Sequence, residues 1–356
     1  MVTPVDLTVL LGSRWAELEH HGTRWRALLT RWAGDPRLGS LTVVDFPRFS
    51  LRGPRLAEQP SWLPGVRSLR LTVPASPTRT LGSGAGWRLA ARALGSCETV
   101  VAATPLWAPL LPRLDAQRRC FDAVDDWRAL ASVGHLRARV DEGYRVLPQL
   151  DLVTAVSVEL GRRLAQDVGA RPVVVPNGVQ LSAYAGTPAP PPGLPDGPFA
   201  VYVGSVERRV DLDLLRAVAE QVPVVVAGPA DAESAAWLRA APLCWLGPLD
   251  VDQVPGLLRH AAVGLLPHRV DALTESMDPM KLLEYLAAGL PVVATDLPGV
   301  RLSDRVVVAG TPGAFAEAAR QQLHVGRAES PDPAVADRDW DVVAERLLGH
   351  VLGRAA

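Results

Sequence analysis

The chain has 356 residues, of which 48% are hydrophobic and 21% are charged, and its formal net charge at pH 7 is −1. This length predicts two domains with a large buried core, and a near-neutral charge without a basic tail or stripe argues against a nucleic-acid partner. No run of about 18 apolar residues predicts a membrane-spanning helix, and the first residues lack the pattern of a secretory signal, so we expect a cytoplasmic protein.

The first half of the chain alternates short apolar runs with longer amphipathic segments. The apolar runs predict strands at Val5 to Leu11, Leu41 to Asp45, Thr99 to Ala103, Arg119 to Asp126 and Leu152 to Val156. The longer segments predict helices at Arg24 to Ala33, Trp87 to Leu94, Leu136 to Leu147 and Val158 to Val168. Residues 51–80 are rich in proline and arginine and predict an irregular or antiparallel segment. This alternation is typical of a parallel sheet covered by helices on both faces.

Tryptophan is concentrated in the first half of the chain. Of ten tryptophans, six precede residue 110: Trp15, Trp25, Trp32, Trp62, Trp87 and Trp107. They indicate either a large apolar or sugar-binding cleft or ordinary filling of the core, and tryptophan alone does not separate the two. The three cysteines, Cys97, Cys120 and Cys244, lie far apart without the spacing of metal ligands, which predicts small buried residues in a reducing compartment.

A proline-rich segment separates the two halves. Six of the fourteen residues from Ala185 to Pro198 are proline, and such a segment forms neither helix nor sheet and behaves as a semi-rigid spacer. We therefore predict a first domain at residues 1–182, a linker at 183–198, a second domain at 199–335, and a C-terminal helix at 336–356 that could pack back on the first domain.

The second half repeats the pattern of a strand followed by a tight turn. Predicted strands cover residues 199–205, 222–227, 243–247 and 263–267, and their carboxyl ends carry Gly204, Gly228, Gly247 and Pro267. Open parallel sheets bind ligands at this edge. Arg208 and Arg209 follow Gly204 and Ser205, so either arginine could hold a diphosphate, or both could form a solvated surface pair.

The one lysine of the chain stands in the segment with the clearest chemical pattern. Lys281 is the only lysine among 37 basic residues, and a compact ammonium is a movable point charge for phosphate, which a guanidinium does not imitate. After a predicted loop at 271–278, Asp278 and Pro279 predict the N-cap and first turn of a helix. Its free N–H groups beside Lys281 predict a phosphate site, and Glu284 could accept hydrogen bonds from a ribose. A leftover surface lysine and a glutamate in a weak ion pair are the alternatives.

Four features follow one another at characteristic separations. They are two α/β halves, Val175-Pro-Asn-Gly-Val179 between them, Tyr202-Val-Gly-Ser205 at the start of the second half, and Glu284-Tyr-Leu-Ala-Ala-Gly-Leu-Pro-Val-Val-Ala-Thr295. Together they resemble the GT-B glycosyltransferases, within them family 4 and its teichuronic-acid-type branch, over most of the chain. The resemblance implies an α/β fold of two doubly wound, Rossmann-like domains facing a central cleft. It also implies no metal site and no permanently bound cofactor, with a nucleotide-diphosphate sugar as co-substrate.

The resemblance assigns roles in the donor site. Glu284 matches the carboxylate that binds the ribose, Lys281 with Arg208 or Arg209 matches the diphosphate ligands, and Gly247 matches the backbone that holds the base. The whole predicted donor site comprises Gly204, Ser205, Arg208, Arg209, Gly247, Ser276, Met277, Asp278, Lys281, Leu282 and Glu284. Where many relatives have a second glutamate, this chain has Ser276, so either the neighbouring Glu275 takes its place or Ser276, Met277 and Asp278 hold the sugar.

Three carboxylates after a predicted strand, Asp122, Asp125 and Asp126, allow two interpretations. If transfer inverts the anomeric centre, a carboxylate must act as general base on the acceptor hydroxyl, and Asp122, then Asp125, is the catalytic candidate. If transfer retains configuration, as in most of family 4, no protein base is required. Asp125 or Asp126 could instead cap the helix that follows at Trp127, and both interpretations stay open.

On the acceptor side, the resemblance implies that Gly12 and Ser13 match the loop that admits acceptor and donor phosphate, with Arg24 just beyond. His20 and His21 could act as acid or base near neutral pH, or lie on the loop surface. The predicted function is transfer of a hexose-type sugar to a hydroxyl of a glycan or secondary metabolite, and peripheral membrane contact is compatible with it. The alternatives are a nonhydrolytic nucleotide-sugar epimerase and a donor-binding partner subunit.

Overall fold

The computed structural model describes residues 3–50, 55–74, 84–131, 134–186 and 188–354. The chain forms two compact units, one of residues 1–176 with 343–356 and one of residues 177–342. The boundary therefore falls between Pro176 and Asn177, before the proline-rich segment that was predicted to be the linker. That segment belongs to the second unit, where Leu194 packs against the apolar core.

The first unit is built on one twisted sheet. Its described strands are β1 (Val5–Leu10), β2 (Leu38–Ser50), β3 (Arg55–Gln59), β4 (Val66–Pro74), β5 (Ser96–Ala102), β6 (Asp115–Ala123), β7 (Leu152–Ala155) and β8 (Val173–Val174). Its helices are α1 (Trp15–Leu18), α2 (Arg24–Trp32), α3 (Gly84–Leu94), α4 (Trp127–Leu130), α5 (Gly134–Tyr144) and α6 (Val158–Val168). The strand order is β3-β4-β2-β1-β5-β6-β7-β8, and only β3 with β4 is an antiparallel pair within the described part of the sheet.

The stretch at 51–80 is more regular than its composition predicts. Residues 55–59 and 66–74 form β3 and β4, which pair antiparallel, but β4 also pairs in parallel with β2. The prediction of an antiparallel segment therefore holds for β3 only, and residues 51–54 and 75–80 lie outside the described part of the chain.

The second unit has a smaller sheet that is parallel throughout its described strands. These are β9 (Ala200–Val203), β10 (Val224–Ala227), β11 (Cys244–Gly247), β12 (Val263–Leu266), β13 (Val292–Ala294) and β14 (Val306–Val308). The helices are α7 (Leu212–Ala219), α8 (Ala232–Ala240), α9 (Val254–His260), α10 (Ala272–Glu275), α11 (Met280–Ala287) and α12 (Pro312–Gln322). A last helix, α13 (Trp340–Val351), carries the chain from the second unit into the first at Val343.

The order of these strands places a binding edge in the second unit. It is β11-β10-β9-β12-β13-β14, so the chain winds outward in one direction from β9 and in the other from β12, which confirms the predicted doubly wound fold. In such sheets ligands bind outside the carboxyl ends of the two strands where the order reverses. We call the carboxyl ends of β9 and β12, with the residues that follow them, the second switch point.

One tyrosine allows the sheet to open at the second switch point. Strands β9 and β12 pair only at Val263 with Ala200 and at Gly264 with Val201. Beyond these pairs the Tyr285 hydroxyl accepts a hydrogen bond from the Val203 N–H (3.0 Å) and donates one to the Leu265 carbonyl (3.2 Å). The phenol thereby satisfies two backbone groups that the diverging strands leave unpaired. Gly264 makes room for the ring, because a Cβ there would lie 2.5 Å from Tyr285 Cδ2.

The tryptophans of the first half mainly fill the core. Five of the six are buried, namely Trp15, Trp25, Trp32, Trp87 and Trp107. Trp62 is half-buried and stacks on Trp15 with ring centroids 4.7 Å apart. Of the three free cysteines Cys120 is buried, but Cys97 and Cys244 are only partly so. The core-filling interpretation therefore holds for the five buried indoles.

The C-terminal segment from Val343 lies with the first unit. Arg118 donates hydrogen bonds to the carbonyls of Val351 (2.8 Å) and His350 (3.1 Å), and the Trp32 indole donates one to the Ala344 carbonyl (3.1 Å). Residues 336–342, which were grouped with this helix in the predicted boundaries, belong to the second unit.

Candidate functional site

Helix α11 brings Lys281 against the turn that follows β9. Gly204 begins this turn with φ 131°, where glycine is favoured over other residues. A Cβ at Gly204 would lie 2.8 Å from Lys281 Cε and 3.0 Å from Nζ. The ammonium also lies 5.1 Å from the centroid of the Tyr202 ring, a cation–π distance. Lys281 is therefore packed at the second switch point and is not a leftover surface residue.

Arg209, rather than Arg208, is the arginine beside Lys281. Arg208 is exposed and Arg209 is half-buried, and the Arg209 charge acts on the pKa of Lys281. Two backbone hydrogen bonds hold the Arg209 turn to the residues after β12, from Arg269 N–H to the Arg209 carbonyl (2.9 Å) and from Asp211 N–H to the Pro267 carbonyl (2.8 Å). The second switch point thus carries two cations.

Lys281 and Glu284 are half-buried side chains with perturbed acidity. Burial, reinforced by the Arg209 charge, lowers the pKa of Lys281 to about 8. Burial raises the pKa of Glu284 to about 7, although the Lys281 charge acts in the opposite direction. Burial disfavours the charged form of each group. A bound anion would therefore stabilise the charged form of Lys281, and a bound hydrogen-bond donor would stabilise the charged form of Glu284. Perturbed acidity of this kind is concentrated at functional sites.

Asp278 holds the segment before α11 in place through hydrogen bonds and does not cap the helix. The helix begins at Met280 after Pro279, without a side-chain cap. The Asp278 carboxylate accepts hydrogen bonds from the Asn177 N–H (2.6 Å) and from Arg338 Nη2 (2.6 and 2.8 Å). In return, Asn177 Nδ2 donates to the Asp278 carbonyl (2.8 Å) and Arg338 Nε to the Asn177 carbonyl (2.7 Å). The predicted N-cap is wrong, and these contacts do not support a donor-sugar role for Asp278.

Removing the guanidinium from this cluster is expected to destabilise the protein. Arg338→Met leaves the Asp278 carboxylate, 9% exposed, without its ion-pair partner, and we expect the free energy of unfolding to fall by about 2–3 kcal/mol. Urea unfolding measures the effect. Arg320→Ala is the control, because Arg320 pairs with Glu317 on the surface of the same unit and should cost nothing measurable. Equal losses in the two variants would contradict the assignment.

Two other residues of the predicted donor site, Leu282 and Ser276, are buried. Leu282 is fully buried in the apolar core, so its side chain is unsuited to bind a ligand. Ser276 is buried, and its hydroxyl donates to the Leu273 carbonyl (2.8 Å) at the end of α10. This short helix, which Asp271 caps, occupies half of the predicted loop at 271–278. Glu275, the last residue of α10, and Met277 are half-buried.

The backbone of β11 reaches the same edge of the sheet. Gly247 ends this strand with φ 75°, and its carbonyl accepts a hydrogen bond from the Gly228 N–H (2.8 Å). Ser205, beyond Gly204, accepts a hydrogen bond at its carbonyl from the Tyr202 hydroxyl (3.0 Å). Gly204, Ser205 and Gly247 therefore lie where the sequence placed them, at the carboxyl ends of neighbouring strands.

In the first unit, Arg24 and Asp122 form a buried ion pair, with 3% and 1% of the side chains exposed. Arg24 Nε and Nη2 donate to the carboxylate at 2.8 and 3.1 Å, and the Thr154 hydroxyl donates to it at 2.7 Å. Arg24 also donates to the carbonyls of Val175 (3.0 Å) and Pro176 (2.9 Å). This geometry supports neither Asp122 as a general base nor Arg24 as an acceptor ligand, because both are enclosed and paired.

The other two carboxylates of the cluster differ from Asp122. Asp126 Oδ1 accepts hydrogen bonds from the N–H groups of Arg128 (3.0 Å) and Ala129 (3.2 Å) at the start of α4, and Oδ2 pairs with Arg163 (3.2 Å). The capping interpretation is therefore confirmed for Asp126. Asp125 is half-buried.

Gly12 and Ser13 lie where the strand order of the first sheet reverses, between β1 and β5. A Cβ on Gly12 would lie 3.5 Å from the side chain of Thr104, which follows β5. The two residues are thus placed at the ligand-binding edge of the first sheet. His20 and His21 are exposed on the surface.

Sequence reasoning missed three residues that the structure brings into the second unit's site: Tyr202, His268 and Arg338. Tyr202 lies inside a predicted strand, two residues before Gly204, and His268 follows the predicted strand at 263–267, so the strand pattern contained a signal for both. Arg338 could not be found in this way, because its partner Asp278 is 60 residues away in the sequence.

The two doubly wound units have the topology of the GT-B fold, and a lysine, an arginine and a glutamate lie at the second switch point. Residues 198–324, which lie within the second unit, match the family model for glycosyl transferases group 1. Over 199 residues the chain is 27% identical to TuaH of Bacillus subtilis, named as a teichuronic acid biosynthesis glycosyltransferase, with 50% of each chain covered. The chain thus spans about half the length of this curated relative.

Solved structures share the fold at low sequence identity. Anabaena HepE in complex with UDP-glucose has a TM-score of 0.68 at 15% identity, covering 98% of this chain and 99% of its own. Sucrose-phosphate synthase from Thermosynechococcus elongatus has a TM-score of 0.66 at 16% identity, covering 97% and 94%. The UDP-forming trehalose-phosphate synthase from Burkholderia xenovorans, in complex with glucose-6-phosphate, has a TM-score of 0.67 at 12% identity, covering 98% and 100%.

In the ranges that the structure describes, no helix combines the length and apolarity needed to cross a bilayer. Within the same ranges, no three histidine, cysteine, aspartate or glutamate side chains are grouped so that they could hold a metal ion.

Proposed function

We propose that the protein is a glycosyltransferase whose donor is a nucleotide-diphosphate sugar bound at the second switch point. The observation that carries the proposal is the meeting of Lys281, Arg209 and Glu284 at the edge where a sheet of this topology binds ligands. The family match of residues 198–324 and the name of the Bacillus relative support it.

Each part of the donor has a complementary group in this proposal. The Lys281 ammonium and the Arg209 guanidinium bind the diphosphate, aided by the free N–H groups at the start of α11. Glu284 accepts hydrogen bonds from the ribose, and the backbone near Gly247 holds the base. Negative charge develops on the leaving diphosphate as the bond to the sugar breaks, and cations already in place stabilise that charge in the transition state.

We propose a uridine nucleotide carrying a hexose as the donor. HepE was solved in complex with UDP-glucose and the trehalose-phosphate synthase is named as UDP-forming, which supports this choice. For the acceptor we propose a hydroxyl of a cell-surface glycan, following the name of the Bacillus relative, with a secondary metabolite as the second choice. A cytoplasmic location with peripheral membrane contact stays a prediction.

The enclosed Asp122 favours a mechanism in which this carboxylate takes no proton. Because its oxygens are bound by Arg24 and Thr154, we propose transfer with retained configuration, which requires no protein base. Asp125 is the remaining carboxylate of the cluster that could orient the acceptor.

A panel of sugar nucleotides, each offered with glycan acceptors, tests the proposed function. A new glycosidic product, released together with nucleoside diphosphate, is the expected result. An altered sugar nucleotide formed without acceptor would instead identify an epimerase, and binding without any reaction would identify a partner subunit. Failure of every nucleotide diphosphate to bind would reject the donor site.

The acidities of the two site residues predict a narrow pH optimum for nucleotide binding. Below pH about 7 Glu284 gains a proton and loses acceptor capacity, and above pH about 8 Lys281 loses its charge. The affinity for UDP, measured by calorimetry from pH 5.5 to 9.5, should therefore be highest between these values.

Glu284→Gln supplies the control for the pH profile. The amide does not titrate, so the loss of UDP affinity below pH about 7 that is due to Glu284 should disappear. Any loss of affinity that remains at low pH is due to protonation of the nucleotide itself. A wild-type affinity that stays constant from pH 6 to 9 would contradict the assigned roles.

A further inference from the structure

His268 lies at the second switch point, two residues beyond β12. Its side chain is only 1% exposed, and its backbone N–H donates to the Leu266 carbonyl (3.0 Å). The residue forms an isolated antiparallel bridge with Val210. The hydrogen bonds on either side, at Pro267 and Arg269, already tie this segment to the Arg209 turn. The His268 backbone is therefore tied to the turn that carries Arg209, and the charges of Lys281 and Arg209 both act on the ring.

The ring nitrogens of His268 are buried without hydrogen bonds, which is unusual for a polar side chain. Neither Nδ1 nor Nε2 has a hydrogen-bond partner among the described protein groups. Most buried polar side-chain atoms in proteins are hydrogen-bonded, and an unsatisfied one costs the desolvation free energy of the group. An aliphatic side chain of similar volume would avoid this cost, so stability alone does not explain a histidine here.

The charges around the ring indicate which partner it lacks. Burial, with the charges of Lys281 and Arg209, holds the pKa of His268 well below its ordinary value. Glu284 and Glu207 act on Lys281 in the opposite sense. The ring is therefore neutral, with one N–H donor and one acceptor nitrogen. Because the ring lies in the field of two cations, an anionic oxygen is the acceptor best suited to this N–H.

We propose that His268 is a further ligand of the donor's diphosphate, donating a ring N–H to a phosphate oxygen held by Lys281 and Arg209. This inference rests on the proposed function. It adds that the unpaired imidazole destabilises the ligand-free protein and gains a hydrogen-bond partner only when the donor binds.

The inference predicts effects of opposite sign on stability and on binding. In His268→Leu, loss of the unpaired polar group should raise the melting temperature of the ligand-free protein by about 2–4 °C. The same variant should bind UDP about tenfold more weakly or worse, because it lacks a hydrogen bond to a charged group. A purely structural histidine would show lower stability and unchanged affinity.

His260, an exposed histidine whose ring has a partner, supplies a control in the same unit. Its Nδ1 lies 2.7 Å from the Gly256 carbonyl, so its ring already has a partner. His260→Leu should give no gain in melting temperature and no change in UDP affinity. His268→Gln and His268→Asn place an amide N–H near the positions of Nε2 and Nδ1, and one of them should recover most of the affinity.

The outcomes separate this inference from the proposed function. If UDP binds the wild type and His268→Leu with equal affinity, the inference is overturned and the donor site stands. If no nucleoside diphosphate binds the wild type, both are overturned. Should the leucine variant fail to fold, nitrogen NMR of the wild-type ring decides: a neutral ring whose N–H signal shifts on saturation with UDP is expected, and an unchanged signal would overturn the inference.

Discussion

Replacing Lys281 by alanine is expected to weaken UDP binding by about 10- to 100-fold, since a hydrogen bond to a charged group contributes about 1.5–3 kcal/mol. The reason is geometric as well as electrostatic, because the ammonium rests on the Gly204 backbone and over the Tyr202 ring at the ligand-binding edge. Calorimetric titration with UDP, ADP and GDP measures the loss. Lys281→Arg should also be impaired, because the space beside Gly204 is filled and a planar guanidinium does not replace a point charge.

Arg320→Ala is the matched control for this experiment. Arg320 belongs to the same unit, but it forms a surface pair with Glu317 on α12, so its removal should leave the affinity unchanged. The site assignment would be wrong if Lys281→Ala bound every nucleotide as tightly as the wild type while remaining folded.

Asp122→Asn is expected to lower the free energy of unfolding by about 3–5 kcal/mol, the usual cost of breaking a buried ion pair. The substitution leaves the Arg24 guanidinium, 3% exposed, without a compensating charge. Urea unfolding followed by tryptophan fluorescence measures the loss. Arg24→Met should be at least as harmful, because it also removes the donors to the carbonyls of Val175 and Pro176.

The surface pair of Arg67 and Glu58 offers the control within the first unit, since both side chains are largely exposed and Arg67→Ala should be nearly neutral. A base role for Asp122 makes a different prediction, namely normal stability and turnover reduced by about 10²–10⁴. That result, together with an inverted product, would overturn the structural interpretation of Asp122.

The parts of the fold that depend on local pattern could be predicted from the sequence. The glycines that follow β9 and β10 and the glycine that ends β11 mark real strand ends, and α6 spans Val158–Val168 as expected. Lys281 and Glu284 were singled out because their residue types suit phosphate and ribose, and the structure places both on α11. The strand order of each sheet and the diverging strands at Tyr285 depend on contacts between distant segments, which a single sequence does not reveal.

Three sequence interpretations differ from the structure because partners distant in the chain decide what a residue contacts. Asp122 follows a strand and looked like a catalytic carboxylate, but its partner Arg24 lies 98 residues away. Asp278 stands at a typical capping position and binds Arg338 instead. The proline-rich segment has the composition of a spacer, yet Leu194 packs on the core of the second unit. Composition alone does not show which residues become buried or paired when the chain folds.

A crystal structure of the protein with bound UDP tests the central claim most directly. The account predicts diphosphate oxygens within roughly 3 Å of Lys281 Nζ and of the Arg209 guanidinium, with the ribose hydroxyls on the Glu284 carboxylate. A nucleotide bound at any other edge, with Lys281 and Glu284 free of contacts to it, would contradict the account.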